Sequence, residues 1–210
     1  MTASAEEESR EQLHRAVNGD QQALTVLWQT HRRRLKRLVG LRMDRRVRGR
    51  VDESDILQDV FIEFAARIKE YAKNPPMPFF LWLRFLTGQR LQQVHRHHLD
   101  AKMRDAGREV SITQGMPEAS SVTLAAQLLG RFTSVVRSVE RAEMQQMMQD
   151  AIDELEAIDR DVLALRHFEE LSNVEAAKVL GMDASACSSR HVRALKRLRQ
   201  NLEGKPGFFT

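Results

Sequence analysis

The segment from Ala184 to Leu202 carries short hydroxyl side chains and cations at the spacing of an α-helix. At about 100° per residue, the outward side chains are Ser185, Ser189, Arg193 and Lys196, with Arg190 and Arg197 on the flank. We expect the opposite side to pack inward, and it holds Cys187, His191, Ala194, Leu195, Leu198 and Leu202. Short hydroxyls let the backbone approach base edges, while cations reach bases or phosphates. This pattern favours DNA binding, although an ordinary amphipathic helix with a solvated basic face would share it.

The residues just before this segment are those that a tight two-helix turn requires. Ser172 and Glu175 form a capping box, in which each side chain accepts an unpaired backbone N–H at the helix start. Gly181 supplies the left-handed conformation that ends this helix, and Asp183 can cap the next one. Ala177 is small enough to let the two helices pack closely. The side chains expected on the inner face are Val174, Ala177 and Leu180. The arrangement predicts a helix-turn-helix, which places its second helix in the DNA major groove.

The composition bounds the class of protein and its partners. The chain of 210 residues has a formal net charge of +4, which suits a polyanionic partner, and 42% hydrophobic residues, which is adequate for packed cores. No apolar run is long enough to span a bilayer, and the acidic residues Glu6, Glu7 and Glu8 are unlike a signal peptide. We therefore expect a cytoplasmic protein with no membrane association. The single cysteine, Cys187, excludes an intramolecular disulfide and a thiolate zinc site.

Signals for catalysis or for metal binding are absent from the sequence. His95 and His98 can share a helix face, but no carboxylate or thiol nearby completes a ligand set. We find no glycine loop that cradles phosphate, and no Ser/His/Asp or Cys/His set with an identifiable geometry. We expect no catalytic residue, no metal and no cofactor, so the sequence does not predict an enzyme.

Charge is segregated in the N-terminal half. Residues 31–50 contain ten arginines and lysines against one acid, Asp44, whereas residues 51–63 contain five acids and no base. Acids at a helix start serve capping and the helix dipole, which accounts for Asp52, Glu53 and Asp55. The basic residues are Arg32, Arg33, Arg34, Lys36, Arg37, Arg42, Arg45, Arg46, Arg48 and Arg50. So many like charges repel one another unless an anionic partner relieves them, which favours an interaction surface over a merely solvated face.

The periodicity predicts an all-α fold of two small helical domains joined by a linker. Apolar residues recur at three- and four-residue spacing, and strand signals are almost absent. Helices are expected at 8–17, from 20, from 53, at 79–104, at 139–155 and at 159–168, followed by the helix-turn-helix. The prolines of residues 73–78 break the chain. Residues 106–138 are rich in Ser, Thr, Gly and Pro, with one short helix at 124–129, and are expected to form the linker between domains at 8–105 and 139–203.

The predicted helix at 79–104 begins with aromatic residues and ends with basic ones. Its aromatic residues are Phe79, Phe80, Trp82 and Phe85, and its later cations include Arg90 and Arg96. Aromatic rings interleaved with cations suit single-stranded nucleic acid, because bases stack on the rings while the cations hold the backbone. The alternative is that the aromatic residues, Trp82 and Phe85 above all, belong to the core.

Taken together, these segments resemble a bacterial RNA polymerase sigma factor of the small extracytoplasmic-function type. Residues 55–64 look like the helix of that family that binds core polymerase, and residues 79–83 look like the opening of its promoter-melting helix. Residues 159–172, running into the helix-turn-helix, are the most specific match. The resemblance implies a four-helix region-2-like domain, a region-4-like helix-turn-helix domain, and a non-catalytic factor that guides polymerase to promoters and assists their melting.

The resemblance also implies roles for individual residues. Those that would bind polymerase are Asp55, Leu57, Gln58 and Asp59. Those that would bind the minus-10 element and the melted strand are Tyr71, Lys73, Asn74, Trp82, Arg90 and Arg96. The loop at 71–78 would hold a flipped base in a pocket whose contacts offset the free energy of unstacking that base. Those that would meet the minus-35 element are Ser185, Ser188, Ser189, Arg190, Val192, Arg193 and Lys196, with Arg190 and Lys196 on phosphates. The implied partners are core RNA polymerase, promoter DNA and an anti-sigma factor, with a monomer in the free state.

Two departures from the family pattern limit what it implies about DNA sequence. Gly88-Gln89 stands where an Arg-Asn pair is common, and Cys187-Ser188 stands where an aliphatic residue and a cation are usual. Cys187 can fill the aliphatic position as a small hydrophobic residue. Ser188 removes a phosphate or guanine contact, so the usual promoter sequence does not follow. The alternative function is a helix-turn-helix regulator that binds an operator as a dimer without polymerase.

Overall fold

A computed structural model describes residues 3–99, 116, 117, 119–132, 138–206 and 208. These residues contain helices and no strand, so the predicted all-α fold is confirmed. The α-helices are α1 (Ala3–Val17), α2 (Gln21–Arg42), α3 (Arg45–Arg48), α4 (Glu53–Lys73), α5 (Phe79–Leu99), α6 (Ser121–Phe132), α7 (Ser138–Asp153), α8 (Ala157–Leu163), α9 (Asn173–Leu180) and α10 (Ala184–Leu202). A π-helical turn, Ala164–Phe168, continues α8. Residues 100–104, to which the predicted helix at 79–104 extends, lie outside the described part of the chain.

The chain divides into two compact units. The first unit consists of residues 1–39 and 43–116, and the second of residues 40–42 and 117–210. The division at residue 117 falls inside the predicted linker. Residues 106–115, 118 and 133–137 of that linker lie outside the description, whereas α6 replaces its predicted short helix and contributes the buried Leu124 and Ala125 to the core of the second unit.

Aspartate caps fix where α2 and α4 begin. Asp20 accepts hydrogen bonds from the backbone N–H groups of Gln22 and Ala23 at 2.9 and 3.0 Å, and Asp52 accepts one from Ser54 at 2.6 Å. Such caps satisfy donors that have no partner within the helix. The backbone hydrogen bonds hold the pKa of the Asp20 carboxyl below its usual value. The helix predicted at 8–17 begins five residues earlier, at Ala3.

The core of the first unit follows the predicted stripes of the second and third helices. Buried on α2 are Ala23, Leu27, His31, Leu35 and Leu38, and buried on α4 are Ile56, Val60, Phe64 and Ile68. An aromatic cluster extends this core towards α5. Phe64 lies edge-on to Trp82 with ring centroids 6.1 Å apart, and Trp82 stacks on Tyr71 at 4.4 Å. The opening of α5 is therefore anchored by aromatic packing.

One member of the predicted basic surface is a buried ion-pair partner. The Nε and Nη2 atoms of Arg42, a residue of the second unit, lie 2.8 and 2.7 Å from Oε1 of Glu169, which is fully buried. The Arg42 Nη1 atom also donates to the carbonyl oxygen of Pro117 at 2.7 Å. Arg42 is 4% exposed, so including it in an interaction surface was wrong: an acid distant in sequence neutralises it.

The core of the second unit is formed by α6, α7, α8 with its π-helical turn, and α10. Its buried residues include Leu124, Met148, Ile152, Leu163, Phe168, Ala194, Leu198 and Leu202. The helices predicted at 139–155 and 159–168 correspond to α7 and to α8 with the π-helical turn, each within two residues of the predicted start. None of the described helices combines the length and the apolar character needed to cross a lipid bilayer.

Candidate nucleic-acid interface

The helix-turn-helix is built by the capping residues that the sequence indicated. The backbone N–H of Glu175 donates to the Ser172 hydroxyl at 3.2 Å, and the Ser172 N–H donates to the Glu175 carboxylate at 2.8 Å. Gly181 has φ 64° and ψ 33°, the left-handed conformation that favours glycine. Asp183 then caps α10 by accepting from the N–H of Ala186 at 2.7 Å. The predicted capping box, glycine stop and second cap are all confirmed.

Side-chain contacts hold α9 and α10 together. The Asn173 side chain donates to the carbonyl oxygen of Ala184 at 2.6 Å, linking the first residues of the two helices. Ala177 is 2% exposed, as its small size predicted. The inward placement of Val174 and Leu195 was wrong, since they are 56% and 40% exposed. The buried residues of α9 are Ala176, Ala177 and Val179, and those of α10 are Cys187, Ala194, Leu198 and Leu202.

The predicted base-facing side chains lie on the exposed part of α10. Exposed there are Ser185, Ser188, Ser189, Val192, Arg193 and Lys196, and Val192 is 62% exposed although it is apolar. An exposed valine beside hydroxyls and cations suits contact with a thymine methyl group in the major groove. Among the described residues, Arg193 has no ion-pair partner. Arg190 is half-buried and differs from the others.

Arg190 and Arg197 are bound to two acids at the start of α8. Nη1 of Arg190 lies 2.8 Å from Oδ1 of Asp159 and 3.3 Å from Oε2 of Glu156. Nη1 of Arg197 lies 2.7 Å from Oδ2 of Asp159 and 2.8 Å from Oε1 of Glu156. Hydrogen bonds from Arg197 and Arg190 lower the pKa of the Glu156 carboxyl. We call these four residues the arginine–acid cluster.

The predicted polymerase-binding residues of the first unit differ in exposure. Asp55 and Gln58 are exposed on α4, whereas Leu57 is 1% exposed. Leu57 and Gln58 line a groove together with Thr25, Trp28, Gln29, Arg32, Ser54 and Phe61. Asp59 forms an ion pair with Arg90 of α5, so a predicted polymerase contact and a predicted strand contact are joined to each other. Polymerase binding by Asp55, Leu57, Gln58 and Asp59 stays a prediction.

The residues predicted to bind the minus-10 element separate into exposed and buried groups. Lys73, Asn74 and Arg96 are exposed. Tyr71 is 6% exposed, and its hydroxyl donates to the carbonyl oxygen of Met77 at 2.8 Å, which ties the proline loop to α4. Burial raises the pKa of the Tyr71 hydroxyl. Trp82 is 4% exposed, which agrees with the alternative that it belongs to the core.

Comparison with known proteins finds a family match within the second unit. Residues 145–198 match the family model for sigma-70 region 4. Residues 145–198 are therefore similar to sigma-70 region 4. They contain the helix-turn-helix and all four residues of the arginine–acid cluster. The predicted resemblance to the sigma factors is thereby confirmed.

Similar proteins agree with this assignment. The chain is 39% identical over 72 residues to an RNA polymerase sigma-E factor of Streptomyces avermitilis, covering 34% of this chain and 40% of that one. It is 41% identical over 66 residues to an RNA polymerase sigma-E factor of Streptomyces antibioticus, covering 31% and 37%. The chain thus spans about two fifths of the length of these relatives. The structure of CnrH in complex with the cytosolic domain of CnrY shares the fold, with a TM-score of 0.54 and 22% identity over 94% of this chain and 99% of that one.

The segment that matches region 4 also holds a polar pair that the sequence did not indicate. The Nε2 atoms of His167 and His191 are 2.9 Å apart, so one ring donates to the other. Burial lowers the pKa of His191 and raises that of the neighbouring Cys187 thiol, which favours the neutral form of both groups. No group of three or more His, Cys, Asp or Glu side chains in the described residues is placed to hold a metal ion. His167 carries no motif signal, because the pairing depends on contact between α10 and the π-helical turn.

Proposed function

We propose that this chain is a sigma factor of the extracytoplasmic-function type, which binds core RNA polymerase, directs it to promoters and assists their melting. The observation that carries the proposal is the helix-turn-helix with an exposed hydroxyl and cation face, within the segment that matches region 4. The fold shared with CnrH over 94% of the chain supports extending the proposal to the first unit. Such a factor acts in the cytoplasm by binding and is not an enzyme.

Each unit would take one part of the task. Residues 139–203 would recognise the minus-35 element, with Ser188, Ser189, Val192 and Arg193 facing bases and Lys196 a phosphate. Residues 8–105 would bind polymerase and hold the minus-10 element, with residues 106–138 connecting the two parts. The residues proposed for the melted strand are Lys73, Asn74, Arg90 and Arg96, while Tyr71 and Trp82 would support the loop from inside the core.

An anti-sigma factor is a further proposed partner. The neighbouring CnrH structure was solved with the cytosolic domain of a second protein, CnrY, bound to it. In the present chain, the groove beside Trp28 and Phe61 and the exposed Ile62 offer apolar surface on α2 and α4. We propose that the chain is a monomer until polymerase or such a partner binds it.

The proposal predicts direct binding to core polymerase. Purified full-length chain should co-purify with bacterial core RNA polymerase at low salt. Asp55→Arg should weaken this binding about tenfold or more, because a cation replaces an exposed acid of the proposed contact. Pull-down of core polymerase with each variant measures the effect.

Glu70→Arg provides the matched control, since Glu70 is also exposed on α4 and undergoes the same change of charge. It should bind core polymerase as the natural chain does. Failure of the natural chain to bind, together with tight binding to duplex DNA as a dimer, would instead support the operator-binding regulator.

A further inference from the structure

We propose that Glu156 and Asp159 hold Arg190 and Arg197 away from DNA phosphates, and thereby set how strongly the region 4 domain binds DNA of any sequence. The inference rests on the proposed function and deepens it. It assigns the two acids a part in DNA selectivity, and it gives Arg190 a role different from the phosphate contact that the sequence predicted.

The position of the two arginines makes them candidates for phosphate contact. They are seven residues apart, so they share one side of α10. That side borders the outward face, next to Arg193, which is four residues before Arg197. A cation at such a border reaches the phosphates that line the groove, and arginine binds phosphate through two parallel N–H donors.

The two acids occupy those donors instead. All four contacts between the acids and the arginine Nη1 atoms are 3.3 Å or shorter. Asp159 is 1% exposed, and the two arginines are the cations that neutralise it. Moving either arginine to a phosphate would leave a buried carboxylate with less compensation, which is costly. The cluster also places the Glu156 carboxylate, with 57% of its side chain exposed, where it would repel a nearby phosphate.

The domain therefore makes fewer sequence-independent contacts with DNA than the number of its arginines suggests. Each phosphate that a protein neutralises adds affinity for every sequence and steepens the dependence of binding on salt. Keeping two arginines paired with acids lowers this common affinity. The exposed side chains Ser189, Val192 and Arg193 are unaffected and continue to read bases, so a larger share of the binding energy depends on sequence.

The test measures binding of the full chain to duplex DNA of random sequence over a range of salt concentrations. Glu156→Gln removes the charge of the exposed acid. Arg190 still neutralises Asp159, so Arg197 keeps one acidic partner instead of two and can move to a phosphate at a lower cost. Affinity at low salt should rise about tenfold, and the slope of log K against log salt should steepen by about 0.9. Glu154→Gln is the matched control, because Glu154 is also exposed and the substitution makes the same change of charge two residues from Glu156. It should change neither the affinity at low salt nor the slope.

A second substitution, Arg197→Ala, shows whether the gain in affinity comes from release of Arg197 or only from the loss of one negative charge. Arg197→Ala should change random-sequence affinity less than twofold in the natural chain, yet remove most of the gain in the Glu156→Gln chain. The proposal is overturned if Glu154→Gln raises affinity as much as Glu156→Gln does. It is also overturned if Arg197→Ala already weakens the natural chain as much as Arg193→Ala does, or if Glu156→Gln leaves binding unchanged. Because polymerase is absent from the assay, these results are independent of whether the chain directs transcription.

Discussion

Replacing Trp82 with alanine is expected to lower the free energy of unfolding of the first unit by about 3–5 kcal/mol, the usual cost of removing a buried large aromatic side chain. Trp82 is 4% exposed, stacks on Tyr71 and lies edge-on to Phe64, so its loss leaves a cavity at the centre of the aromatic cluster. Urea unfolding followed by tryptophan fluorescence measures the change. Trp28, which also belongs to the first unit, remains as the single reporter.

Trp82→Phe is the matched control because it retains a ring that can stack on Tyr71. It should lose much less stability than Trp82→Ala. If Trp82→Ala instead unfolds at the same urea concentration as the natural chain but binds single-stranded DNA more weakly, the side chain acts on the strand and its core role is refuted. The first unit would then have to expose Trp82 when it binds.

Arg193→Ala is expected to weaken binding to a preferred duplex by about 1–3 kcal/mol, provided that Arg193 contacts a base. This arginine is exposed on α10, beside Ser189 and Val192, and its guanidinium carries the donors that suit guanine. Fluorescence anisotropy with a duplex selected from a random library, and with variants of that duplex, measures both affinity and sequence preference.

The matched control for the loss of one positive charge is Lys178→Ala, an exposed cation on α9. It should reduce affinity for all duplexes slightly and leave sequence preference unchanged. If Arg193→Ala also weakens every duplex to the same extent, Arg193 contacts a phosphate, and the base-reading role must pass to the hydroxyl side chains and Val192.

Long helices with a regular apolar stripe could be predicted from the sequence with their buried residues. α2 and α4 each have more than twenty residues, so their apolar residues at three- and four-residue spacing form a long stripe. Only one orientation of each helix buries that stripe. α9 has only eight residues, and the position of its partners decides which side is buried. For that reason Val174 was placed inward by its spacing but is exposed. The prediction for Leu195 was wrong for a related reason, because α10 packs against the core of the second unit through Ala194 and Leu198 instead.

Features of the candidate site formed by residues near one another in the sequence could be predicted, whereas those formed by residues far apart in the sequence could not. Capping residues act within three or four positions, so Ser172, Glu175 and Asp183 were visible in the sequence. The arginine–acid cluster joins residues 31 to 41 positions apart, and no local pattern indicates that an exposed-looking arginine is already paired. The buried ion pair of Arg42 and Glu169, which are 127 positions apart, is likewise not indicated by any local pattern. Charge counts along a sequence therefore overestimate the cations that remain for DNA.

Reconstituted transcription tests whether this chain directs RNA polymerase to promoters. Purified chain is added to bacterial core RNA polymerase on a library of genomic DNA fragments, and the 5′ ends of the transcripts are mapped. We predict discrete start sites that core polymerase alone does not produce, preceded by two shared sequence elements at the minus-35 and minus-10 positions. A set of start sites identical to that of core polymerase alone would contradict it.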